Sequence, residues 1–502
     1  MTQQVAVVLA MLAAYMAVIV FIGFYSSRFS RGTMEDYHMG SRSFKSFVLF
    51  SAVFGANISA VTLAGAPGAA YHAGWIIWPY FATSWAWCTP LLFYTVGSRS
   101  WLLGQKFGYM TVSEVVGNRW KSPTLAVILS LTLIIYTVPY LMTGLLGAGR
   151  TLEALTDGYV SLNWSMLLVA ASVLTYLLLG GMRGAAWVNT FQTTVFMVGS
   201  IAIFVVIANA LGGPAEATRR VLEESPELIT RGKMSMRQFF SYGIIVAFSP
   251  IVFPQLFMRL LTGRDPKTLK RIMCFYPIPA LLMMFLMATL GMWGSSAIGG
   301  LKGAESDAIL PLLLTEYTPI WMMGILGAAA FAAMMSTMDS QLLSVTTMIT
   351  RDFFSRSRLG QASDATMVRI SRILVFVLAI LALILAVFSP AGIITIIEFA
   401  LGGFACLLAP VIGALYWKRC THQAAIWSVV TSQICLIGLE SGLLPEGLKF
   451  GFLAGLPAIV VSIVVLVAVT FLTPPPQDEG TREYFELFAG GKEKPTEEQA
   501  TS

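Results

Sequence analysis

Strongly apolar runs of roughly 20 residues recur along this chain almost from end to end, and that is the length a helix needs to cross the hydrocarbon core of a bilayer. Reading the runs between polar or charged punctuation gives about thirteen. They lie at 5–25, 47–73, 75–97, 123–147, 164–181, 185–211, 239–260, 273–297, 317–346, 370–389, 392–416, 423–440 and 452–473. The punctuation is weakest inside 47–97 and 164–211. Composition points the same way, with 56% hydrophobic and 12% charged residues in 502 and a mean hydropathy of +0.75. A soluble domain carries about 25% charged residues. A chain this apolar cannot hide its side chains inside one water-facing globule. The expected class is therefore an all-α, many-spanning membrane protein with no substantial soluble domain.

The net charge of +6 does not point to nucleic acid, because the basic residues form no stripe. They sit in short segments between the runs, where the positive-inside rule accounts for them. With the first end outside, three-quarters of the 32 Lys and Arg residues fall on the inner side. An odd number of runs then puts the C-terminal tail in the cytoplasm, and the expected location is the plasma membrane, the inner membrane of a bacterium. The first run has no basic leader and is too long for a signal-peptide core, so it reads as a retained span. The polar tail, 474–502, reads as disordered. Cys88, Cys274, Cys406, Cys420 and Cys435 are scattered, with no CxxC or Cys/His grouping that would indicate a metal site or disulfide framework. No Ser/His/Asp arrangement or phosphate loop argues for an enzyme.

Two runs are interrupted. The second holds Gly55-Ala56-Asn57-Ile58-Ser59 and, further on, Gly65-Ala66-Pro67-Gly68, and the seventh holds Ser249-Pro250 and Pro254-Gln255. Non-helical backbone at membrane depth survives only where protein or a wet cavity satisfies it. Broken helices five runs apart point to an inverted-repeat transporter with a midplane site; simple proline kinks are the plainer reading. In the ninth run Ala333, Ser336 and Thr337 are spaced i, i+3 and i+4 and share a face. Hydroxyls and freed carbonyls offer hard, uncharged oxygens suited to a monovalent cation. The same residues also suit a packing face whose hydroxyls bond back to the preceding turn.

Several short stretches together resemble the sodium/solute symporter family, whose members carry proline, sugars, sialic acid, pantothenate and monocarboxylates. They are the Asp36–Ser43 stretch, Gly65-Ala66-Pro67-Gly68-Ala69, Gly180-Gly181-Met182-Arg183, Trp187-Val188-Asn189-Thr190-Phe191-Gln192, Met335-Ser336-Thr337 and Ser340-Gln341-Leu342-Leu343. The resemblance extends to about residue 473. It implies thirteen helices with a LeuT-type core of two inverted five-helix repeats, 47–211 and 239–416. A first helix and cytoplasmic loop (1–46) precede them, an external loop (212–238) joins them, and two further helices (417–473) follow. It also implies a coupling sodium ion held by the carbonyls of Gly55, Ile58 and Ala333 and the hydroxyls of Ser336 and Thr337. Members commonly carry Asp at the position of Asn57 and often a carboxylate at that of Asn189. Here Asp339 lies on the opposite helix. With Ser340 and Asn189 it is a candidate for a second cation or a proton, or else a structural carboxylate bonded to Asn189 or to water of the inner vestibule.

The resemblance puts the solute site beside the breaks. The candidates are Asn57, Thr62, Tyr136, Tyr140, Tyr242, Ser249, Gln255, Glu398 and Phe399. Glu398 could meet a solute ammonium, relay a proton or sit near the outer surface. His72 reads as facing the outer vestibule and Arg259 as an anchor at the inner surface, both being near run ends. The expected function is sodium-coupled import of a small organic solute by alternating access, with a monocarboxylate or amino acid favoured by similarity. Proton coupling in the same fold, a membrane sensor and a channel are the alternatives. The partners expected are the solute and the lipid bilayer, with no nucleic acid and no obligate protein partner.

Overall fold

The computed structural model describes residues 3–29, 31–230, 234–355, 362–389 and 392–489. Among the described residues the chain is helical throughout; the one extended pairing is an isolated bridge between Phe44 and Gly263. Among the described residues nine helices are long and apolar enough to cross a membrane, or up to eleven when two bent pairs are each counted as a span. The bent pairs are Ser46–Asn57 with Val61–Phe107, at 53°, and Met236–Val252 with Pro254–Leu261, at 45°. They are the two runs whose sequence breaks.

Each break has a local cause. Ile58 is extended (φ −77°, ψ 113°), which ends helix Ser46–Asn57, and the Ser59 hydroxyl then accepts the Val61 amide at 3.2 Å to start the next segment. In the seventh run Phe253 (φ −58°, ψ 119°) interrupts the helix, and Pro254 opens Pro254–Leu261 at a first-turn position where its missing N–H costs nothing. A third departure lies in Leu162–Ala210, a 49-residue helix in which Gly181 has φ 52° and ψ −146°. A Cβ there would meet the Tyr37 ring at 2.7 Å, so both the backbone conformation and the close approach require glycine.

The ninth-run helix, Ile320–Phe354, is the central post. Its most apolar stretch is 78% buried, against 28% in Gln3–Ser27 and 33% in both Asp364–Val387 and Gly455–Leu472. Those outer helices carry the exposed apolar belt that faces lipid, including Phe21, Ile373 and Phe471.

The motif around Asp36 acts as a clamp. Its carboxylate accepts from the Arg183 guanidinium at 2.6 Å, the Ser41 hydroxyl at 2.7 Å and the Arg31 amide at 2.8 Å. This ties the connection after the first helix to the turn at Gly181. Burial works to raise the Asp36 pKa, but the guanidinium, amide and hydroxyl outweigh it and hold the carboxyl below its ordinary range.

The tail departs from expectation. Residues Glu479–Phe488 form a helix capped by the Asp478 side chain on the Thr481 amide at 2.8 Å, not a disordered segment; 490–502 lie outside the described residues. Tyr484 is buried and donates to the Val115 carbonyl at 2.9 Å. Phe485 lies over the guanidinium of Arg119, which donates to the carbonyls of Gly413, Ala414, Trp417 and Lys418 at 2.5–3.0 Å. Those carbonyls belong to the end of the helix Leu408–Tyr416 and to the two residues after it. An aromatic pair in a polar sequence was enough to dock it, and composition alone does not register that.

Candidate functional site

The break in the second run frees its last carbonyls sideways, and the ninth-run helix meets them with hydroxyls. Ser336 Oγ lies 2.8 Å from the Gly55 carbonyl and 2.8 Å from that of Ala333. Thr337 Oγ1 lies 2.9 Å from the Ile58 carbonyl and 3.5 Å from that of Gly55. The five oxygens expected from the sequence are thus brought into one cluster. It is buried, since Ile58, Ala333 and Ser336 are inaccessible and Thr337 is 2% exposed. No ligand is ionised. Rotation of the two hydroxyls would turn their lone pairs inward and make a cage for a weakly held monovalent cation. Close approach of the helix Leu162–Ala210 supports the break, because a Cβ on Gly55 would sit 2.6 Å from Thr193 Oγ1.

One turn along the same helix the chemistry changes. Asp339 Oδ1 accepts from Ser340 Oγ at 2.8 Å and Asn189 Nδ2 at 3.3 Å, and Oδ2 accepts from the Tyr176 hydroxyl at 3.0 Å. Arg259 reaches the same group: Nη2 is 2.5 Å from Ser340 Oγ and 3.6 Å from Asp339 Oδ1. Its side chain is 1% exposed and that of Asp339 is inaccessible. This corrects the sequence expectation, which left Arg259 as an anchor at the inner surface. The half-helix Pro254–Leu261 turns inward after its break and carries the guanidinium to the bundle centre. Of the two readings of Asp339, the bond to Asn189 is present, and the ion pair with Arg259 was not foreseen.

Above the break, Asn57, Thr62, Tyr140, Tyr242 and Ser249 line one pocket of about 50 Å³. Asn57 also donates to the Tyr276 hydroxyl. The pocket's lining includes no ionised side chain; its walls are completed by Ser59, Phe81, Trp85, Phe253 and Met284, which the sequence reading did not single out. Inward-facing aromatics on an apolar helix carry no mark that separates lining from packing. The flanking hydroxyl of Ser59 could have been noticed beside Ile58.

Four candidates fall elsewhere. Tyr136 donates to Gln433 Oε1 at 2.6 Å and packs on Phe399. Gln255 is 1% exposed and does not line the pocket. Glu398 and Phe399 line a separate cavity of about 510 Å³ with Glu440, Glu446 and Lys449. Glu398 accepts from the Tyr80 hydroxyl at 3.0 Å, and Tyr80 stacks on Tyr242 with ring centroids 3.9 Å apart. That stack links the two cavities. His72 is exposed. Among the described residues, no group of three His, Cys, Asp or Glu is arranged to hold a metal.

Comparisons with known proteins bear on this arrangement. The model of the sodium:solute symporter family matches residues 37–432. A sodium/pantothenate symporter of Haemophilus influenzae is 28% identical over 454 residues, spanning 88% of this chain and 91% of that one. One from Escherichia coli K12 is 28% identical over 478 residues, spanning 93% and 97%. A sodium/proline symporter of H. influenzae is 24% identical, spanning 89% and 91%. A Na+-coupled sialic acid symporter, solved substrate-bound and outward-open, aligns with a TM-score of 0.77 over 93% of this chain and 98% of that one; at 17% identity this shows the fold. The family is one of transporters, not enzymes. With the family model covering well over half of its length and its apolar helices built for lipid, this chain is a multi-pass membrane transporter and belongs to the sodium:solute symporter family.

Proposed function

We propose that the protein is a sodium-coupled symporter that imports a small monocarboxylate bearing hydroxyl and amide groups, of the pantothenate class. The observation that carries this reading is the contact between cage and pocket. Ile58, whose carbonyl belongs to the five-oxygen cluster, lies between Asn57 and Ser59, both of which line the pocket. An ion bound by Gly55 and Ile58 on one helix and Ala333, Ser336 and Thr337 on another holds the broken segment in one position. It thereby sets Asn57 and Ser59 for the solute, so each ligand favours binding of the other. The uncharged pocket supplies amide and hydroxyl partners and aromatic walls. The single negative charge of the solute is balanced by the co-bound cation. The 28% identity to two sodium/pantothenate symporters supports this class over the others.

In this reading the chain spans the bacterial inner membrane thirteen times. The turns at Gly74 and Gly181, both at positive φ, divide Val61–Phe107 and Leu162–Ala210 into separate crossings. A 49-residue helix would extend about 73 Å at 1.5 Å per residue, far beyond one bilayer. The N-terminus lies outside and the tail inside, by the distribution of Lys and Arg. Residues 47–211 and 239–416 are the two inverted repeats of a LeuT-type core, joined by 212–238 and followed by two helices in 417–473. Rocking of one against the other exposes the site alternately.

The test is uptake of labelled pantothenate by the purified protein in proteoliposomes. Accumulation should follow an imposed sodium gradient, ignore a pH gradient, and be competed by pantothenate and not by proline. Accumulation driven by the pH gradient alone would overturn sodium coupling, and competition by proline would move the solute to an amino acid.

A further inference from the structure

The ninth-run helix presents two oxygen clusters in succession, and they are joined through Ser336. Ser340 Oγ donates to the Ser336 carbonyl at 2.8 Å, and Asn189 Nδ2 donates to the same carbonyl at 3.2 Å. The second cluster, Asp339, Ser340 and Asn189, is therefore continuous with the first, whose Ser336 is a cage residue. It has the more strongly cation-attracting donor set of the two, because it includes a carboxylate. A carboxylate inaccessible to solvent at this depth needs a compensating charge. The structure supplies one from within the chain, the guanidinium of Arg259, on Asp339 and Ser340. It arrives from a third helix, so it is not a local i, i+4 pairing made by sequence proximity.

We propose that Arg259 is a tethered cation that occupies the second cation position, so the transporter binds and moves one sodium ion per solute. A second mobile cation on Asp339 and Ser340 would have to share both residues with the guanidinium. The cluster already balances to zero charge without it. Arg259 thus determines ion stoichiometry, and it stays in place through the cycle while the ion above it comes and goes. This inference rests on the sodium-coupled reading above.

The test uses 22Na+ as the only ligand, so it does not depend on the identity of the solute. Purified wild-type protein should bind one 22Na+ per chain with a Hill coefficient of about 1. Binding should be lost or strongly weakened in Thr337→Ala. In Arg259→Gln a second 22Na+ should bind, and its thermal stability should rise with NaCl but not with choline chloride, because sodium then compensates Asp339. Adding Asp339→Asn to that variant should return the count to one and abolish the salt specificity. Arg259→Lys, which keeps a tethered charge, should stay at one. Two 22Na+ per wild-type chain would overturn the proposal, as would a folded Arg259→Gln that still binds one and gains nothing from sodium. If Arg259→Gln does not fold, the wild-type and Arg259→Lys counts decide. A wild-type chain that binds no 22Na+, with Thr337→Ala unchanged, would instead remove the sodium-coupled reading itself.

Discussion

The two clusters on the ninth-run helix are one helical turn apart and differ in every respect that governs residence of an ion. The outer one, built on Ala333, Ser336 and Thr337 with the carbonyls of Gly55 and Ile58, has only neutral oxygens. The inner one is built on Asp339 and Ser340 and contains a full negative charge with a full positive charge against it. Neutral oxygens hold a monovalent ion weakly enough to release it, whereas a desolvated carboxylate holds its counter-charge tightly. In the proposed reading, the difference lets one helix face carry a reversible ion site and a permanent one side by side. Charge is kept out of the first and is covalently tethered in the second.

Breaking the inner cluster should have the largest effect. Asp339→Asn leaves the Arg259 guanidinium buried without a counter-charge, which costs about 3–5 kcal/mol. Thermal unfolding in detergent should show this as a large drop in melting temperature, and Arg259→Gln in the same chain should recover most of it. Equal stability of the single variant and wild type would mean that the pair does not compensate charge as described.

Breaking the outer cluster should separate ion affinity from stability. Thr337→Ala removes one hydroxyl ligand; a hydrogen-bond-like contact to a charged group is worth about 1.5–3 kcal/mol, so half-saturation by sodium should rise about tenfold to a hundredfold. Its melting temperature without sodium should stay close to that of wild type. A smaller change is expected at Gly55→Ala, where the new Cβ presses on Thr193 Oγ1 and displaces a cage carbonyl. About 1–3 kcal/mol of stability should be lost, together with sodium affinity, and Thr193→Ala should restore part of both.

The smallest effect sharpens the comparison from outside the membrane. His38 is inaccessible, lies 2.6 Å from Thr347 and 3.0 Å from Ser371, and burial together with the charge of Arg351 pushes it down to about 3. Below its unfolded value of about 6.5 the unfolded chain takes up a proton that the native chain refuses, so stability falls as the pH drops from there. The loss should be about 1 kcal/mol at pH 5.5, read as a melting temperature lower than at pH 7.5, and His38→Gln should remove that difference. Asp36, held below its ordinary range, adds stability above about pH 3.9 that is lost only as its own lower value is passed. That contribution is constant across this window and adds no pH dependence to it. Sodium binding to the neutral outer cluster should be unaffected by pH over the same range.

The outer cluster was legible from the residues because its donors are local. Three come from one helical face at i, i+3 and i+4, and two from one interruption that frees carbonyls. The family resemblance named the same atoms. Five of the nine solute candidates reached the pocket: Asn57, Thr62, Tyr242 and Ser249 from the two broken runs and Tyr140 from the fourth. Tyr136, Gln255, Glu398 and Phe399 did not, because a few residues of register turn a side chain to another face of its helix. The partner of Asp339 was not legible either. A lone arginine near the end of an apolar run reads as a surface anchor, and nothing in the run says that its last two turns bend inward. The docked tail helix was missed for a related reason: Tyr484 and Phe485 find partners only in the folded molecule.

Hydropathy, periodicity and the glycine and proline breaks by themselves determined a helical membrane protein with two interrupted spans, because lipid obliges each segment to satisfy its own backbone. Only the tertiary structure decided which charge meets Asp339. That choice is an encounter between helices some 80 residues apart in the chain, set by how the broken seventh run packs against the ninth.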